Sequence, residues 1–124
     1  MKKISAVLPL YNGIKYISEC IGSIQQQTFL EWELIIVNEY GSDDGCADLV
    51  LEYAKSDSRI RLIQNTARLG LAESLNVGIE AASGKYIARV DVDDPSYPER
   101  FEKQVAYMDR HSDVFMCGTL QCDH

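Results

Sequence analysis

The chain has 124 residues, 46% of them hydrophobic and 25% charged, with a formal net charge of −7. That length fits one domain and the composition fits a globular chain with a real core, while the acidic balance argues against a nucleic-acid binder, which carries a basic stripe. No apolar run approaches the ~20 residues of a membrane span.

In chain order, MKKISAVLPLYN opens with two lysines before an apolar stretch, as a secretion signal does. Asn12 and Lys15 break it too early, and no A-x-A-like cleavage site follows. It reads as the first strand (4–10) of a cytoplasmic protein, with peripheral attachment at the inner face of a membrane as a further expectation. Tyr11-Asn12-Gly13 signals a turn, and Ile14, Ile17, Ile21 and Ile24 then recur at helical spacing. A second strand is predicted over 32–38 (WELIIVN). In the turn GSDDG (41–45), Asp43 or Asp44 can cap the next helix, whose stripe is Leu49, Val50, Tyr53 and Ala54. A third strand follows over 59–65. Leu71, Leu75, Ile79 and Ala82 mark a third helical face, closed by Gly84 as C-cap. A fourth strand is predicted over 85–92 (KYIARVDV). Pro98, a good first-turn residue, precedes a helix bearing Phe101, Val105 and Met108. A fifth strand over 114–120 (VFMCGTL) ends the pattern; its edge, if exposed, favours self-association into a homo-oligomer.

Strictly alternating strands and helices, with near-continuous apolar strands, predict an α/β fold: a largely parallel sheet with helices on both faces. Ligands of such sheets sit beyond the carboxyl ends of the strands. Loops 10–13, 38–45, 65–70 and 91–94 then converge on one edge.

Those loops carry the chemistry. VDVDDPSYP (90–98) puts Asp91, Asp93 and Asp94 into four positions at the end of an apolar strand. Alternation along a strand points Asp91 and Asp93 the same way, and like charges so close need a cation between them. Carboxylates with water and phosphate oxygens suit Mg²⁺ or Mn²⁺; a solvated helix-capping cluster is the plainer alternative. Tyr11 can stack on a base or simply pack. Glu39 can accept from a ribose hydroxyl or a base N–H, or merely belong to a turn shaped by Gly41, Ser42 and Gly45. Arg68 faces phosphates, a base edge or solvent.

Absences narrow the choice. Without GxGxxG a nicotinamide dehydrogenase is not expected, and without GxxxxGK[ST] a P-loop NTPase is excluded. Cys20, Cys46, Cys117 and Cys122 form no CxxC pair and have no histidine cluster beside them, so free thiols in a reducing compartment are expected rather than zinc. His111 and His124 pair by sequence with no serine or cysteine nucleophile and read as surface residues.

Taken in order, a P-x-YN first strand, the QT-F--WE-IIV approach to the second, the Gly-Ser-x-Asp-Gly turn, N--LGLA-SLN-GI, A-GKYIA--D-DD, then a Pro and an Arg-Phe resemble the family 2 glycosyltransferases, over almost the whole chain. The resemblance implies the GT-A fold, a nucleotide-diphosphate-sugar donor (a UDP-sugar first), Mn²⁺ or Mg²⁺ on the D-x-D, and a saccharide or lipid-linked acceptor in polysaccharide or cell-surface glycan synthesis. Carried over by position, Pro9, Leu10, Tyr11 and Asn12 match the first nucleotide-contacting loop, and Glu39 the acidic residue that reads the base. Asp91 and Asp93 match the D-x-D, with Asp94 continuing it, and Arg68 borders the donor. Asp93 and Asp94 are the metal ligands so implied; which of them binds directly and which reaches the ribose stays open.

The chain departs from the family in two ways. The usual Asp-Asp-Gly-Ser turn is here Asn38-Glu39-Tyr40-Gly41-Ser42, with a longer acidic side chain. The family's catalytic base lies well downstream of the D-x-D, so it is expected beyond residue 124, and residues 1–124 are expected to be the donor half of a longer domain. Glu99 follows the motif but stands at a helix start, where the helix dipole explains it. One rival is a donor-binding module that transfers nothing. The others are a sugar nucleotidyltransferase, which needs a Gly-rich basic loop after the first strand, and an aspartate-nucleophile phosphatase, which places its D-x-D there; LPLYNG is neither.

Overall fold

Every residue of the segment Trp32–Asn38 is buried, which requires a strand covered on both faces. The structure, a computed structural model, describes residues 2–110 and 116–117 and bears this out. The strands are β1 (Ile4–Leu10), β2 (Trp32–Asn38), β3 (Ile60–Gln64), β4 (Tyr86–Arg89) and β5 (Met116–Cys117). The helices are α1 (Ile17–Gln25), α2 (Cys46–Ser56), α3 (Gly70–Ala81) and α4 (Arg100–Arg110). The sheet order is β3-β2-β1-β4-β5, parallel at every pairing. His111, Cys122, His124 and the predicted strand outside 116–117 lie outside the described residues, and with them the expected sheet edge.

Alternation along β1 divides the core. Ile4, Ala6, Leu8 and Leu10 share one cluster with Ile17, Cys20, Ile21 and Ile24 of α1, Cys46 and Val50 of α2, and Phe101, Val105 and Met108 of α4. Each fully buried Leu, Ile or Phe there stabilises by ~1.5–3 kcal/mol. The return from β3 to β4 carries α3 over the opposite face, onto β1 and β2. Its approach is close: a Cβ at Gly78 would stand 2.3 Å from Val7 Cγ1.

Local departures from the sequence reading have physical causes. Ile14 is exposed, and α1 starts only at Ile17; the Ile14 N–H donates to Asp44 Oδ2 instead (3.0 Å). The other oxygen of Asp44 accepts from the N–H of Cys46 (3.0 Å), so Asp44 rather than Asp43 serves the start of α2. In α3 the buried positions are Ser74 and Gly78, and Leu71 is 54% exposed. The helix seats on the sheet through small residues, not through the leucine stripe. It ends at Ala81 with Ala82 as an extended C-cap; Gly84 lies in the following turn, its N–H donating to Ser5 Oγ (2.8 Å). Pro98 stands two residues ahead of α4, and its carbonyl accepts from the Thr28 N–H (2.9 Å).

Candidate functional site

β2 and β4 lie on opposite sides of β1. The chain therefore leaves the carboxyl ends of β1 and β4 in opposite directions and opens a crevice between them, the place where open α/β sheets bind ligands. Two adjoining clefts occupy it. One, of about 240 Å³, is lined by Pro9, Leu10, Tyr11, Glu39, Arg68, Gly70, Leu71 and Ser74. The other, of about 310 Å³, includes Pro9, Tyr11, Asn12, Tyr16, Arg89, Asp91 and Asp93 in its wall. Tyr11, Pro9 and Leu71 border both. The loops expected to converge do so, and Pro9, Leu10, Tyr11, Asn12, Glu39, Arg68, Asp91 and Asp93 all line this crevice. Asp94, although exposed, is not among the residues lining either cleft.

β4 ends at Arg89, so Asp91–Asp94 form a turn rather than the strand end predicted, closed by the Asp94 N–H donating to the Asp91 carbonyl (3.1 Å). Strand alternation therefore does not orient Asp91 and Asp93; the turn brings both to the cleft. The Arg89 Nε donates to Asp91 Oδ1 at 3.3 Å. Behind the turn lies Arg100, 2% exposed, donating to the Arg89 carbonyl (2.6 Å) and to Ser96 Oγ (2.9 Å). It ties the two ends of the acidic segment to α4 and sets a fixed positive charge beneath three carboxylates. Cys20 also lies beneath it, its Sγ 3.8 Å from the Asp91 carbonyl, and burial pushes this thiol up to about 12. It is a free, inert thiol, as is the buried Cys46 free.

Among the described residues no three Asp, Glu, His or Cys side chains are grouped to hold a metal ion by themselves. A small hard dication does not require that. It is held by one or two carboxylates, with water and phosphate oxygens completing its shell. Asp91 and Asp93, sharing one open cleft wall, fit that donor set.

The opposite wall is more tightly made. Asn12 has φ 48°, a left-handed conformation that asparagine tolerates. Its N–H donates to Ser42 Oγ (2.9 Å) and its Oδ1 accepts from the Asp43 N–H (2.8 Å), which stitches the loop after β1 to the loop after β2. The Arg68 guanidinium sits 4.7 Å from the centroid of the Tyr11 ring, a cation–π contact over the shared border of the clefts. Glu39 is 7% exposed. Burial alone would raise its pKa; hydrogen bonds from the Gly70, Tyr40 and Leu69 N–H groups and the Asn65 amide outweigh that and hold it down to about 2.

Several residues of the site carried no clear signal in the sequence. Tyr16 and Arg89 sit inside segments read as helix approach and strand, and Leu71 was assigned to the core. Arg100 could be found only through the Pro-Glu-Arg-Phe run, whose meaning depends on the turn folding back over α4.

The chain belongs to glycosyl transferase family 2, whose family model matches residues 5–123. It is 42% identical over 118 residues to EpsE of Bacillus subtilis, a protein bearing a glycosyltransferase name, covering 94% of this chain and 42% of that one. It is 36% identical to a UDP-Glc:alpha-D-GlcNAc-diphosphoundecaprenol beta-1,3-glucosyltransferase, WfgD of Escherichia coli, covering 95% of this chain and 46% of the other. The fold is GT-A, as in S. aureus TarS, solved with UDP: TM-score 0.79, 29% identity, 89% of this chain and 33% of that one. A mannosyltransferase of Pyrobaculum calidifontis solved with GDP-Man and Mn²⁺ matches with TM-score 0.68 and 26% identity over 73% of this chain and 27% of its own. The chain thus spans less than half the length of these relatives. No helix among the described residues is long and apolar enough to cross a membrane.

Proposed function

We propose that residues 1–124 are the nucleotide-sugar-binding part of a metal-dependent glycosyltransferase. The observation that carries this reading is the pair of adjoining clefts at the β1/β4 crevice, with an aromatic ring at their shared border and two carboxylates, Asp91 and Asp93, on one wall. In the slot beside Glu39, Tyr11 and Arg68 offer a ring and a guanidinium to a nucleobase. The loop 10–13 passes between that slot and the acidic wall, along the line a diphosphate would take. Asp91 and Asp93 would hold Mn²⁺ or Mg²⁺, which supplies charge neutralisation for a departing diphosphate. Asp94, adjacent and exposed, is available to a ribose hydroxyl or to the same cation.

The transfer forms a bond from an acceptor hydroxyl oxygen to the anomeric carbon. It breaks that carbon's bond to the diphosphate, which leaves with the electron pair, while the hydroxyl proton passes to a base. We assign that base to no described residue. UDP is the first donor nucleotide to test, since the name of WfgD and the TarS complex both carry it. A saccharide or lipid-linked acceptor, in polysaccharide-type synthesis, follows from WfgD in the same way. The second reading is donor binding without transfer. It is favoured by the fraction of each relative that the chain matches, 42% of EpsE and 33% of TarS. Thermal stabilisation by UDP-, GDP- and dTDP-sugars, with and without Mn²⁺, tests the binding function. A Mn²⁺-dependent rise in melting temperature with one of them is expected, and none with any would overturn the reading. Assaying transfer by this chain beside one of the relatives' length separates the two readings.

A further inference from the structure

We infer that Glu39 is a positioning residue: its carboxylate clamps the 65–70 loop and so holds Arg68 over Tyr11, rather than meeting the nucleobase itself. The inference rests on the nucleotide-binding reading for its functional part and on geometry for the rest. An ionised carboxylate offers about four lone-pair sites. Four donors fill them. Oε1 accepts from the Tyr40 N–H (2.9 Å), the Asn65 amide (3.2 Å) and the Leu69 N–H (3.2 Å), and Oε2 accepts from the Gly70 N–H (2.7 Å) and shares that of Leu69 (3.2 Å).

The donors belong to one loop and one helix start. Leu69 and Gly70 are the N-cap and first residue of α3, where the unpaired N–H groups and the positive end of the helix dipole favour an anion. Gly70 has φ +85°, a conformation that glycine adopts without strain and that turns its N–H to the carboxylate. Asn65 also donates to Ser74 Oγ (3.0 Å), which fixes the loop's other end. Arg68 lies between these anchored points. Its exposed side chain would sample many rotamers, so the backbone clamp is what keeps it within reach of Tyr11. The length of the glutamate matters: an aspartate, one methylene shorter, would fall short of the Leu69 and Gly70 N–H groups. With its lone pairs taken, Glu39 has no acceptor left for a base N–H. The slot's remaining charged group is the Arg68 cation, which suits carbonyl oxygens present on uracil and cytosine alike.

The test uses Glu39→Gln, Glu39→Asp, Arg68→Ala and the Glu39→Gln/Arg68→Ala double variant. Amide exchange at Leu69 and Gly70, measured without ligand, reads the clamp; calorimetric titration with UDP and with CDP in Mn²⁺ reads its consequence. Exchange at both amides should accelerate in Glu39→Gln and Glu39→Asp. Arg68→Ala and Glu39→Gln should each weaken UDP about tenfold, the scale of one cation–π contact, and the double variant should lose little more than either. CDP should weaken in parallel with UDP. Unchanged exchange, fully additive losses, or a loss confined to UDP would overturn the inference in favour of direct base contact. Should Glu39→Gln fail to fold, Glu39→Asp paired with Arg68→Ala carries the same cycle. Should the unmodified chain bind neither nucleotide, the proposed function falls, and with it the positioning role, while exchange still reports whether the clamp exists.

Discussion

Two sets of acids in this molecule are treated in opposite ways. Glu33 and Glu39 stand at the two ends of β2, both buried and both surrounded by donors. Glu33 Oε2 accepts from Ser5 Oγ (2.6 Å) and from the N–H (2.7 Å) and Oγ (2.9 Å) of Ser83, just past the end of α3. Glu39 does the same for the start of α3. One strand thus grips both ends of one helix by its carboxylates. In the turn after β4, by contrast, Asp93 and Asp94 are exposed, and Asp91 is held by a single Arg89 contact among its printed neighbours at 3.3 Å. Buried acids must be satisfied by the protein because an unpartnered buried charge is costly. Acids left open at a strand end, with a buried Arg100 beneath them, are arranged for something that arrives from solution.

The contrast breaks most sharply at Asp93. Asp93→Ala is expected to lower the affinity for UDP in Mn²⁺ by at least ~100-fold, comparable to losing a metal ligand's support, while moving stability by less than ~0.5 kcal/mol. Calorimetry and urea unfolding read the two effects, and unchanged affinity would end the metal role. Glu33→Ala should do the reverse. It strands the Ser5 and Ser83 donors and costs ~1–3 kcal/mol of stability, with UDP affinity per folded molecule unchanged. Gly78→Ala, which forces a methyl against Val7, should cost ~1–3 kcal/mol by overpacking despite the better helix propensity of alanine; a neutral result would mean that α3 can lift off β1.

The gentlest probe is pH. Glu39 is depressed from an ordinary 4.5 to about 2, and Glu33 is lowered too, where burial opposes and the Ser5 and Ser83 hydrogen bonds prevail. Both therefore add stability that is complete above about pH 4.5 and fades as pH falls toward 2. Unfolding midpoints measured down that range should drop in the unmodified protein and drop less in Glu39→Gln. An identical slope would show that Glu39 titrates alike in both states.

Much of this architecture is readable from residues alone, for a simple reason. Apolar runs such as WELIIVN and the isoleucine spacing of α1 act locally, and strand alternation with helices leaves few topologies. The crevice follows from that topology, and with it the meeting of loops 10–13, 65–70 and 91–94. Other features depend on contacts distant in sequence. The seat of α3 could not be read because Ser74 and Gly78 look unremarkable beside Leu71, Leu75 and Ile79; small size matters only once Val7 and Val37 are known to lie opposite. The acidic stretch read as a strand because KYIARVDV alternates cleanly, yet β4 stops when Arg100 draws the Arg89 carbonyl away. Glu39 looked like a ligand contact because nothing in its neighbourhood along the chain reveals that residues 65–70 supply four donor contacts to it from 26 to 31 positions away.

The seam between Asn12 and Ser42–Asp43 has a mechanical corollary. Through it, and through Asp44 holding the Ile14 N–H, the tip of β1 is fastened to the root of α2 by side chains about thirty positions distant. The two loops form a single lever: a push on Asn12 from a bound anion is transmitted to α2, and trimming Ser42 slackens a fingertip that it never touches along the chain.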